Sequence, residues 1–119
     1  MKIAVTSTGM DLTYEVDPRF GRAAYIVIID TETMAYEVID NKDNVNAFKG
    51  AGIQTATMIS ESGVGALLTG YCGPNAFRTL EAAGIKVGSD IGGTVSDAVE
   101  AFKKGAVRYS DAPNAEGHW

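Results

Sequence analysis

Apolar positions fall along this chain in two kinds of pattern, and the change from one to the other outlines a fold. Lys2–Ser7 is a short β-branched run and 24–30 (AYIVIID) is a longer one. Neither alternates with polar residues, which predicts strands covered on both faces and central in a sheet. The stretch 34–40 does alternate, with Ala35, Glu37 and Ile39 on one face and Met34, Tyr36 and Val38 on the other. Only Thr31, Glu32 and Thr33 separate it from the preceding run. The two are therefore expected as an antiparallel hairpin.

After Asn41 helical and strand-like segments alternate, as in parallel crossovers. A first helix is expected from about Ala51 to Glu61, with Ile53, Ala56 and Ile59 inward and Ser62-Gly63 as its stop. A strand over 64–69 follows. A second helix starts at Pro74, whose missing N–H has no intrahelical partner at a first helical position, buries Ala76, Phe77, Leu80 and Ala83, and stops at Gly84. Residues 85–88 read as a further strand. The third helix is the best marked: Thr94 and Asp97 form a capping box, Val95, Ala98, Val99 and Phe102 make an apolar stripe, and Lys103-Lys104-Gly105 closes it. The order β-β-β-α-β-α-β-α predicts an α/β fold, a mixed sheet flanked by helices. Residues 1–109 read as one domain and 110–119 (SDAPNAEGHW) as a tail.

Composition narrows the function. Ten Lys+Arg against fifteen Asp+Glu give a formal charge of −5, the wrong sign for a general binder of nucleic acid or anionic membrane. Although 45% of the 119 residues are hydrophobic, no run approaches the roughly 18 apolar residues that span a bilayer. Strand-like sequence begins at Lys2 with no signal-peptide pattern ahead of it, so a cytoplasmic location is expected. The one cysteine, Cys72, excludes an intrachain disulfide and any multi-cysteine metal site from a single chain.

In open α/β sheets ligands settle beyond the carboxyl ends of parallel strands. Three segments are expected there: Ser7-Thr8-Gly9, Gly70-Tyr71-Cys72-Gly73, and 88–93 (GSDIGG). The last two feed into helix N-termini, as does Lys49-Gly50-Ala51-Gly52 ahead of the first helix, though the sequence does not orient that end. Unpaired N–H groups and small residues there could hold an anion on an acidic protein, or the glycines could only cap and turn. Nucleotide binding is not indicated, because Gly50-Ala51-Gly52-Ile53-Gln54-Thr55 has Thr at the third glycine position of GxGxxG and no P-loop pattern occurs. Catalytic sets are thin: the one histidine, His118, lies in the polar tail, and Asp11 and Asp17 in the long loop from Ser7 to Arg22 read as solvated surface. That loop sets Arg19 and Arg22 about Phe20, and arginine suits soft, delocalised anions. Cys72 reads as a small buried hydrophobe, or as a thiol activated by the adjacent helix start.

Taken together, 16–23 (VDPRFGRA), 50–54 (GAGIQ), 69–77 (TGYCGPNAF) and 83–85 (AGI) resemble the dinitrogenase iron-molybdenum cofactor biosynthesis family over residues 2–105. The short format and the start MKIAVTS are most similar to its orange-protein branch. The resemblance implies a ribonuclease H-like fold without nuclease activity, since Lys2–Ser7 carries no metal-binding carboxylate. It also implies a non-enzymatic carrier of an anionic molybdenum–copper sulfide cluster, with protein partners in cluster delivery. In such a linear cluster sulfide already surrounds every metal, so the protein need supply only charge, hydrogen bonds and a partly apolar slot. On that reading Arg19, Gly21, Arg22, Gly50, Gly52, Tyr71, Cys72, Gly73, Asn75, Gly92, Gly93 and Thr94 are the expected cofactor-binding residues, with backbone N–H groups at 73–75 and 92–94 as donors. Direct ligation through Cys72 stays open. The alternative is a metal-free interaction or regulatory module on the same fold; a hydrolase is least supported, because no general base can be named.

Overall fold

The computed structural model describes residues 1–42 and 50–113. Strands β1 (Lys2–Ser7), β2 (Tyr25–Asp30), β3 (Tyr36–Asp40), β4 (Ala66–Leu68) and β5 (Lys86–Gly88) form one sheet in the order β3-β2-β1-β4-β5. Helices α1 (Ala51–Ser60), α2 (Pro74–Ala82) and α3 (Val95–Lys103) follow in the expected order, and a 3-10 turn at Phe20–Arg22 sits between β1 and β2. The fold is the mixed α/β, ribonuclease H-like arrangement.

Strand β2 runs antiparallel to both β1 and β3, while β1, β4 and β5 pair in parallel. Strands β1, β3, β4 and β5 therefore point the same way and share one carboxyl edge. The crossovers β3-α1-β4 and β4-α2-β5 both step across the sheet in the same direction. A right-handed crossover in each puts both helices on the same face. The core divides accordingly. Ala4, Ile26, Ile28, Leu67 and Val87 face Ala56 and Ile59 of α1 and Ala76, Phe77 and Leu80 of α2. Ile3, Val5, Val27, Ile29, Ala66 and Leu68 face Val95, Ala98 and Val99 of α3. Both sides of β1 and β2 are thus buried, which is why their sequences lack alternation.

The helix signals translate directly. Thr94 Oγ1 accepts from Asp97 N–H at 3.1 Å while Asp97 Oδ2 accepts from Thr94 N–H at 3.0 Å, closing the capping box. Gly84 and Gly105 follow α2 and α3 at φ 77° and 70°, a left-handed stop that glycine takes without strain.

Four expectations need correction. Ile53 is 40% exposed. The inward face of α1 is Ala51, Gly52, Thr55, Ala56 and Ile59, which places position 53 about 130° off its centre. Ala83 is exposed because α2 has already ended at Ala82. Met34 lies in the hairpin loop at φ 64°, where Asp30 Oδ1 accepts from Glu32 N–H at 2.9 Å and shapes the turn, so the strand begins at Tyr36. The tail does not leave the body at 110: Ser110 N–H donates to Val87 O at 2.7 Å, Tyr109 bridges Gly88, and Lys86 Nζ stands 5.4 Å from the Tyr109 ring. His118 and Trp119 lie outside the described residues. Among the described residues no helix is long and apolar enough to cross a membrane.

Candidate functional site

The long loop between β1 and β2 is held down by polar groups on the strand beneath it. Asp17 N–H donates to Thr6 O at 3.0 Å, and the Thr6 hydroxyl donates to Asp17 O at 2.7 Å while sharing a 2.9 Å bond with the Thr69 hydroxyl. The Asp17 carboxylate is buried, with Oδ1 accepting from Arg19 N–H at 3.1 Å and Oδ2 from Ala24 N–H at 3.3 Å. Arg19 Nε lies 3.6 Å from Oδ1, and the arginine side chain is half exposed. Asp17 is therefore a structural carboxylate, contrary to the expectation of a solvated one. Burying it would be costly without these donors. Asp11 does stay at the surface, where the Thr13 hydroxyl and then the Thr13 amide hold its carboxyl below the usual range.

The 3-10 turn that follows is stitched on both sides. Phe20 N–H donates to Tyr71 O at 3.1 Å and Tyr71 N–H donates to Pro18 O at 2.6 Å, tying 18–20 to the loop after β4. On the other side Gly21 O faces the Asn41 side-chain amide and the Thr55 hydroxyl, each at 3.5 Å. Phe20 fills the core below. The turn thus spans from the start of α2 to the first turns of α1.

The N-terminus of α1 lies at the carboxyl edge, because β3 ends there and α1 descends from it toward β4. Among the described residues no side chain caps α1 or α2, whose N-caps are Gly50 and Gly73. The N–H groups of Ala51, Gly52 and Ile53, and of Asn75 and Ala76, find no partner among the described residues. Arg19, Gly21, Arg22, Gly50, Gly52, Tyr71, Cys72, Gly73 and Asn75 thus gather at one edge on one face. Tyr71 and Asn75 are exposed, and Asn75 Oδ1 accepts from Arg78 at 3.0 Å.

The remaining three candidates do not join them. Gly92, Gly93 and Thr94 precede α3, on the opposite face. The start of α3 is also closed: Thr94 N–H is held by Asp97, Val95 N–H donates to Tyr14 O at 2.9 Å and Ser96 N–H to Leu12 O at 2.9 Å. Val16 N–H donates to Gly93 O at 2.9 Å, completing the strap. Of the donors expected at 92–94, Thr94 N–H is taken by Asp97, and the loop 11–16 occupies the helix end behind it.

Cys72 is fully buried with Phe20, Phe77 and Leu80. Burial pushes its thiol up to about 12, and Sγ lies 3.8 Å from Gly73 O. Of the two readings left open, the buried hydrophobe is the one the structure carries. Gly70 has a packing role, since a Cβ there would stand 2.6 Å from Pro18 Cα and 2.8 Å from Pro18 O. Sequence reasoning missed Asp17, Asn41 and Thr55. The signal for Asp17 was local: an Asp two residues ahead of an N–H it can accept makes an Asx-turn.

A family model described as dinitrogenase iron-molybdenum cofactor matches residues 1–105. The chain belongs to that family. Among solved structures it is similar to the apo form of the orange protein from Desulfovibrio gigas, at TM-score 0.93 and 51% identity over 96% of each chain. The NMR structure of a candidate NifB protein from Thermotoga matches at TM-score 0.83 and 38% identity over 98% of each chain. An uncharacterized protein of Methanocaldococcus jannaschii is 28% identical over 108 residues, covering 88% of this chain and 87% of its own. The motifs that assemble at the carboxyl edge all lie within the stretch matched by the dinitrogenase cofactor family.

Proposed function

We propose that the chain is a non-enzymatic, cytoplasmic binder or carrier of an anionic metal–sulfide cluster of the molybdenum–copper type, its cargo held without covalent attachment. Membership of the dinitrogenase iron-molybdenum cofactor family suggests a cofactor-binding or carrier role, and the likeness to an orange protein suggests the kind of cofactor. The observation that carries the reading is the pairing of two uncapped helix starts, Gly50–Gly52 and Gly73–Asn75, with the arginine-bearing turn 19–22 across them. Each helix end favours an anion by about 0.3–1 kcal/mol, so the two ends and the guanidinium groups act together. The donor set fits a cluster that brings its own sulfide: among the described residues no three His, Cys, Asp or Glu side chains converge, and the Cys72 sulfur faces the core. Tyr71, 44% exposed, supplies an aromatic edge to the slot.

The test is reconstitution. Apo protein mixed with tetrathiomolybdate and copper(I) and passed through a desalting column should elute coloured, with molybdenum and copper in fixed ratio to protein. Colourless protein with all metal in the salt fraction would refute the reading. Partner proteins in cluster delivery follow from the same reading, and pull-down with loaded against apo protein would test them.

A further inference from the structure

The buried carboxylate of Asp17 is unexplained by a role as surface. Its backbone is fixed to β1 through both bonds with Thr6. Its side chain takes the N–H groups of Arg19 and Ala24, the two ends of the segment that carries Arg19, Gly21 and Arg22. One oxygen also faces Arg19 Nε at 3.6 Å. The Nε edge of the guanidinium thereby faces Asp17 as an ion pair, and half of the arginine side chain remains exposed. We infer that Asp17 is the positioning residue of the anion site: it sets the span of the arginine turn and presents the outer edge of Arg19 to the cargo. The inference rests on the proposed cluster-binding reading.

A carboxylate is required because both oxygens accept. Asn in its place would offer one acceptor and turn an NH2 toward an N–H, and it would remove the ion pair. Asp17 carries negative charge near an anion site, so a role through charge alone would strengthen binding on neutralisation. A role through Arg19 weakens it, and the two have opposite signs.

Titration of the apo protein with tetrathiomolybdate should show Asp17→Asn binding about tenfold weaker, the size expected for loss of one charge-assisted contact. Arg19→Gln should weaken binding similarly, and Asp17→Asn in the Arg19→Gln background should add less than twofold, because the two act as a unit. In 15N NMR spectra of the apo protein the Arg19 Nε–H signal should shift clearly between wild type and Asp17→Asn, because the facing carboxylate is removed. Unchanged or tighter binding, independent losses in the double variant, or an unaffected Nε–H signal would each overturn the inference. Should wild type take up no thiomolybdate, the cluster reading fails and the Nε–H signal still decides whether Asp17 holds Arg19.

Discussion

Substituting Gly70 by alanine tests how the two halves of the site are joined. A Cβ at Gly70 would stand 2.6 Å from Pro18 Cα, 2.8 Å from Pro18 O and 2.9 Å from Pro18 Cβ. None of these atoms is the far end of a flexible chain, so the loops must separate. Two bonds span the same junction, Tyr71 N–H to Pro18 O and Phe20 N–H to Tyr71 O. Net losses of about 1 kcal/mol for each bond and 1–3 kcal/mol for the overlap put the cost at about 3–5 kcal/mol. With a urea dependence of about 1.5 kcal/mol/M, the unfolding midpoint should fall by about 2–3 M. Gly92→Ala is the control: nothing stands within 4 Å of its added Cβ, and the midpoint should hold or rise slightly. Thiomolybdate retention by folded Gly70→Ala should also drop, because the turn with Arg19 is displaced from Tyr71. A midpoint shift under 0.3 M with retention intact would refute the argument that the close approach of 18 and 70 joins the site.

Other consequences follow from the same geometry. Thr94→Ala removes the α3 cap and should lower stability by about 0.5–2 kcal/mol in urea melts without changing thiomolybdate retention, because that helix start lies on the other face; loss of retention would return 92–94 to the site. Arg19→Gln with Arg22→Gln should weaken retention and flatten its salt dependence, and unchanged salt dependence would count against ionic binding. Cys72 should resist thiol reagents at pH 8 in native protein and react quickly in urea. Its thiol, raised from 9.0 to about 12 by burial, favours the fold fully below pH 9 and loses that contribution as pH rises through about 12. The unfolding midpoint of wild type should therefore fall between those pH values more steeply than that of Cys72→Ala, and parallel curves would contradict the burial.

By itself the sequence determined the elements, since their signals are local. The Thr94–Asp97 capping box, Pro74 at the start of α2, the glycine stops and the hairpin across 31–33 all act within a few residues. It also placed the carboxyl-edge loops, because strand direction follows from connection type. Tertiary structure decided which of those loops meet. That β4 and β5 lie on the same side of β1 is a matter of long-range pairing, and only that order sends α1 and α2 to one face and α3 to the other. All three helix starts follow glycine-rich loops in sequence, yet carbonyls of Leu12 and Tyr14, some eighty residues upstream, close one, while among the described residues nothing closes the other two. The fates of Asp17 and Cys72 were settled the same way. Whether a short polar or thiol side chain in a glycine-rich loop faces solvent or core depends on what packs over it, here β1 and Thr6 for one and Phe20 with Phe77 for the other.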